Sequence, residues 1–74
     1  MIYTIVIIKQ EGSDYGVIVP DLPGCFSAGK TIAETIRNAT KAINLHVEGL
    51  RADGEPVPAP NFIMTTDVEI KGNK

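Results

Sequence analysis

Two patterns in this chain contain residue types that could do chemistry: the run Gly24–Thr31, GCFSAGKT, and the single thiol and single imidazole, Cys25 and His46. The run is a literal match to GxxxxGK[ST], in which backbone N–H groups and a lysine, here Lys30, cradle phosphates. That chemistry needs the loop to follow a parallel strand of a large βαβ sheet, with a later acidic residue to help hold magnesium. Here the run follows the second strand of an antiparallel hairpin, and 74 residues leave no nucleotide fold. Cys25 would need a base or a positive environment to become a nucleophile, and no histidine is near it in sequence. It reads as a small, partly buried hydrophobe. His46 stands one residue before an apolar helix position and reads as a boundary residue rather than a general base. One cysteine and one histidine supply neither an intrachain disulfide nor a zinc set. A metal-dependent nuclease would need several carboxylates converging on divalent cations. The first strand, Ile2 to Gln10, contains none; Glu34 is engaged as a helix cap, Glu11 and Asp14 sit in a turn, and Asp67 and Glu69 lie on an outward face. The residues thus indicate a chain that is not an enzyme and carries no cofactor or metal.

The elements that position these residues follow from pattern. MIYTIVIIKQ is β-branched and apolar on both alternating sets, which reads as a central strand with both faces at least partly covered. The polar turn Glu11–Asp14 makes a hairpin to the return strand Tyr15–Pro20, ended by a proline that lacks an N–H. DLPG turns the chain, and CFSAGK forms a short edge strand. TIAE is a capping box, with the Thr31 hydroxyl accepting from the Glu34 N–H and the Glu34 carboxylate reaching back to Thr31. Ile32, Ile36, Ala39, Ile43, Val47 and Leu50 then draw one helical stripe. Gly54 is placed to end the helix with positive φ, and EPVPAP prevents continuation. NFIMTTDVEI alternates as a half-buried strand, with Phe62, Met64, Val68 and Ile70 inward.

The order is β-β-β-α-β, an α+β fold in one domain spanning residues 1–74. A right-handed crossover sets the fourth strand beside the first, giving a four-stranded mixed sheet of order 3-2-1-4 with one helix on one face. So small a chain buries only about 60% of its unfolded surface and is marginal alone. The uncovered sheet face calls for a second sheet, so a homodimer or higher homo-oligomer is expected; Leu45, off the main stripe, is available for a further contact. Net charge is −2 and the pI is near 5.2, without the basic footprint that carries phosphate-backbone affinity. No basic segment precedes the apolar start, which is also too short to span a bilayer. The expectation is a cytoplasmic chain that binds neither membrane nor, directly, nucleic acid.

From Tyr15 to Pro60 the sequence resembles the HicB family of antitoxins. The resemblance is carried by a strand ending in PDLPGCFSAGKT, by Glu34 and Asn38–Ala39 on the helix, and by the GEPVPAP closure from Gly54 to Pro60. It implies a partial RNase H-like fold without nuclease activity. It also implies a protein partner, a small mRNA-cleaving toxin of the HicA type, neutralised when its active surface is covered. Family members often repress their own operon through a C-terminal DNA-binding segment. This sequence stops at Lys74, after the fourth strand, and is expected to lack that module. The rival reading is an orphan oligomeric RNase H-like domain, either a regulator without its DNA-binding segment or a vestigial nuclease. The prolines and glycine of PDLPG preset the backbone, so little ordering entropy is lost on binding. The partner-binding residues are therefore expected to be Asp21, Leu22, Pro23, Gly24 and Phe26, with Asp21 offering a charge and Leu22 an apolar anchor.

Overall fold

The computed structural model describes residues 1–9, 11–61, 66, 68 and 69. Strands β1 (Val6–Lys9), β2 (Tyr15–Ile18) and β3 (Phe26–Gly29) precede one helix, α1 (Ile32–Ala52). The strands form a three-stranded sheet of order β1-β2-β3, antiparallel throughout. Val6 pairs with Ile18 and Ile18 with Phe26, so these three make one row across the sheet; Ile8, Gly16 and Ala28 make the next.

Three expectations are corrected here. The described residues form three strands rather than four, antiparallel rather than mixed, and β1 is an edge strand among them. Most of the expected fourth strand (62–65, 67 and 70) lies outside the described residues. Thr66, Val68 and Glu69 are described, belong to no strand and are exposed. The RNase H-like order 3-2-1-4 depends on that strand. The first strand is also shorter than its apolar run: Met1 and Ile2 are exposed, while Tyr3 and Ile5 pack on the core ahead of the ladder. Tyr3 is further tied to the chain beyond the helix, its hydroxyl donating to the Pro58 carbonyl at 2.5 Å.

The third correction concerns the helix stripe. Ile32 and Ile36 are 51% and 45% exposed, whereas Thr35 and Ala39 are buried, and Ala42, Ile43 and Val47 pack on the core. The cause is the approach of α1 to β3. A Cβ built on Gly29 would lie 2.7 Å from both the Thr35 amide nitrogen and its Oγ1, so the helix backbone rests directly on this glycine. Only short side chains fit along that line of contact. Thr35 can be buried there because its hydroxyl donates to the Thr31 carbonyl at 2.7 Å. Asn38 adds a tie at the same seam, its amide donating to the Ala28 carbonyl at 2.8 Å.

Both helix ends are built from local chemistry. Thr31 is the N-cap, and its hydroxyl accepts from the Glu34 N–H at 3.0 Å. The Glu34 carboxylate reaches one residue further back than a capping box requires and accepts from the Lys30 N–H at 2.6 Å. At the other end Glu55 N–H donates to the Leu50 carbonyl and Gly54 N–H to that of Arg51, with Gly54 at φ 71°. This paired arrangement is the Schellman ending.

Candidate functional site: a tandem-turn loop

Between β2 and β3 the chain makes two turns in succession. The Leu22 N–H donates to the Val19 carbonyl and the Cys25 N–H to the Leu22 carbonyl, both at 3.0 Å. A third bond, from Val19 N–H to the Cys25 carbonyl at 3.3 Å, closes the neck of the loop. Proline occupies the second position of each turn, Pro20 in the first and Pro23 in the second, where its fixed φ is already correct. Gly24 follows Pro23 with φ 84°, the positive value that the third position of a type II turn demands.

The turn geometry sorts the side chains with a period of three. Val19, Leu22 and Cys25, the corners, point inward and form the core cluster with Tyr3, Ile5, Ala42, Ile43 and Val47 around them. Leu22 is fully buried. Of the residues between the corners, Pro23 and Gly24 are exposed and Pro20 and Asp21 are half-buried. The expected apolar anchor Leu22 is therefore corrected: it is the pillar beneath the loop and not part of its surface. Phe26 is 71% exposed, but β-register places it in the outer sheet row with Val6 and Ile18. The structure thus brings Asp21, Pro23 and Gly24 together on one rigid rim and sets Phe26 on the adjoining sheet face. The period-three burial was not legible as such, although the two prolines and Gly24 in PDLPG mark where the turns fall.

Cys25 and the phosphate-loop match are taken up by the fold. Burial pushes the Cys25 thiol above its ordinary pKa, which keeps it protonated and poorly nucleophilic. The phosphate-loop match is taken up by β3, which runs extended through its centre from Phe26 to Gly29. The helix start that follows already holds its own anion, the Glu34 carboxylate on the Lys30 amide. Among the described residues no three of His, Cys, Asp and Glu are grouped so as to hold a metal ion. Within the same residues no helix is long and apolar enough to cross a membrane.

The model of the HicB-like antitoxins of bacterial toxin–antitoxin systems matches residues 3–71. A 14.9 kDa protein from the rep-hol intergenic region of Haemophilus phage HP1 is 49% identical over 63 residues, which cover 85% of this chain and 47% of that protein. A UPF0150 protein of Thermoplasma acidophilum is 44% identical over 61 residues, 82% of this chain and 88% of that one. Among solved structures, the Burkholderia pseudomallei antitoxin HicB superposes with a TM-score of 0.71 at 45% identity, over 89% of this chain and 48% of that one. A chain from a HicA3 and HicB3 toxin–antitoxin complex superposes with a TM-score of 0.69 at 42% identity, over 81% of this chain and 69% of that one. The chain spans about half the length of the phage relative and of the Burkholderia antitoxin. With the family model covering nearly its whole length, and with the sheet, the helix and the turn loop in place, the chain belongs to the HicB-like antitoxin family.

Proposed function

We propose that this chain is a non-catalytic antitoxin that binds a HicA-type ribonuclease in the cytoplasm and neutralises it by covering its active surface. The observation that carries the reading is family membership over residues 3–71, joined to likeness with a chain from a HicA3 and HicB3 complex. The loop gives the reading its physical means. A surface whose backbone is already fixed by two prolines, three hydrogen bonds and a buried pillar loses little entropy when a partner closes on it. Asp21, Pro23 and Gly24 form the rim that meets the toxin, and Leu22 holds it in place. The net charge of −2 has the sign that favours encounter with a basic RNA-binding partner.

Reversal of the loop charge tests the assignment. Asp21→Arg is expected to weaken calorimetric binding to the toxin by roughly tenfold or more, with circular dichroism used to confirm that the variant is folded at the temperature of the titration. Equal affinity of the variant and the parent would remove the loop from the interface.

A further inference from the structure

We propose that Asp53–Gly54, at the end of α1, is a covalent modification site, at which isoaspartate forms when the helix ending opens. Of the aspartates and asparagines in the chain, Asp53 alone precedes a glycine. A glycine leaves its amide nitrogen unshielded, so the carboxyl group of the residue before it can approach. Both residues are exposed, and a Cβ built on Gly54 would meet nothing within 4 Å, so water reaches the pair. The chemistry is intramolecular and needs only water. The Gly54 amide nitrogen attacks Cγ of the protonated Asp53 carboxyl group. A C–N bond forms, the C–OH bond breaks, and the hydroxyl leaves with the amide proton as water. The resulting five-membered succinimide then takes up one water. Addition at the side-chain carbonyl restores aspartate. Addition at the main-chain carbonyl breaks that carbon's bond to nitrogen and routes the backbone through Cβ and Cγ. This product has the same mass as the parent, one more carbon in the main chain and a free α-carboxylate.

The closed helix ending holds back the first step. Asp53 stands at φ −87° and ψ 2°. A ψ near zero eclipses the Gly54 nitrogen with the nitrogen of Asp53, and ring closure requires it to swing a third of a turn towards the side chain. That swing is opposed by three hydrogen bonds. Gly54 N–H donates to the Arg51 carbonyl at 3.1 Å, Asp53 N–H to that of Gly49 at 3.1 Å, and Glu55 N–H to that of Leu50 at 2.9 Å. Beyond them the Tyr3 hydroxyl, donating to the Pro58 carbonyl, ties down the chain that leaves the helix. Element ends open at a lower free energy than the core, so this ending can come undone without global unfolding. Once isoaspartate has formed, the lengthened main chain upsets the residue spacing on which the Schellman bonds depend. The site therefore keeps a covalent record of each opening. The inference involves no toxin and stands or falls apart from the antitoxin reading.

Its test is the rate of isoaspartate formation in the purified chain at neutral pH, folded in buffer and unfolded in guanidinium chloride at the same temperature. Methyl transfer from labelled S-adenosylmethionine by protein L-isoaspartyl methyltransferase measures the product, and electron-transfer fragmentation in a mass spectrometer locates it. Isoaspartate is expected at residue 53 in the unfolded chain, and to form roughly tenfold or more slowly in the folded one, as the three hydrogen bonds must first be lost. Asp53→Glu, whose ring would have six members, is expected to remove the signal at that position in both states. Tyr3→Phe keeps the ring in the core but loses the tie to Pro58. It should raise the folded rate by roughly threefold or more and leave the unfolded rate unchanged. Equal rates in the folded and unfolded parent chain, or no isoaspartate at residue 53 in the unfolded chain, would overturn the proposal.

Discussion

Leu22→Ala is expected to lower stability by about 2–5 kcal/mol, the range for truncating a fully buried leucine. For 74 residues the whole folding free energy is only roughly 4–11 kcal/mol, at 0.05–0.15 kcal/mol per residue. The melting temperature should therefore fall by at least about 10 °C. The effect is large because Leu22 does two things at once. It fills the centre of the cluster formed with Val19 and Cys25, and its N–H and carbonyl take part in both turns of the loop. Pro23→Ala, at an exposed position of the same loop, keeps that pillar and should cost about 1 kcal/mol or less. Thermal melts of the two variants side by side check the assignment. A Leu22→Ala chain that melts within a few degrees of the parent would mean that the loop is not pinned from beneath.

Gly29→Ala should be as damaging in proportion to its size, since a single added methyl group is predicted to cost about 1–3 kcal/mol or more. The new Cβ would meet the Thr35 backbone nitrogen at 2.7 Å and its Cα at 2.9 Å. Neither atom can rotate away, so α1 must lift from β3 and loosen the Thr35 and Asn38 seam. Gly49→Ala makes the opposite prediction from the same chemical change. Gly49 lies inside α1 with nothing within 4 Å of its added Cβ, so alanine there should stabilise by roughly 0.5–1 kcal/mol. Denaturant titrations of both variants measure the contrast, and equal signs would remove the close approach as its cause.

The parts of this fold that were legible in sequence are those set by local chemistry. Thr31 and Glu34 announced the helix start, Gly54 and the prolines after it announced the end, and the hairpin about Glu11–Asp14 followed from strand pattern and turn composition. The helix stripe was legible in period but not in phase. Counting apolar residues favours Ile32 and Ile36, whereas the packing selects Thr35, a polar residue whose hydroxyl is satisfied within its own helix. The reason lies across the sheet, at Gly29, and no local pattern reveals which helical residue will meet it. The loop illustrates the same division. Its prolines and glycine marked a preset turn, but burial of Leu22 comes from the stacking of two turns that share it as a corner. Proximity in sequence groups Phe26 with the loop, whereas the pairing Ile18↔Phe26 places it in the outer sheet row. The fourth strand rested on alternation in residues 61–70, most of which lie outside the described residues.

Neutralisation of a ribonuclease, as proposed for this chain, is open to direct measurement. It is measured by mRNA cleavage with a purified HicA-type ribonuclease, titrated with the chain without and with the Asp21→Arg change. Cleavage is expected to be lost as the chain reaches stoichiometric amounts, with more of the variant needed for the same loss. Cleavage that continues undiminished in excess of folded chain, or RNA cleavage by the chain itself, would contradict the proposal.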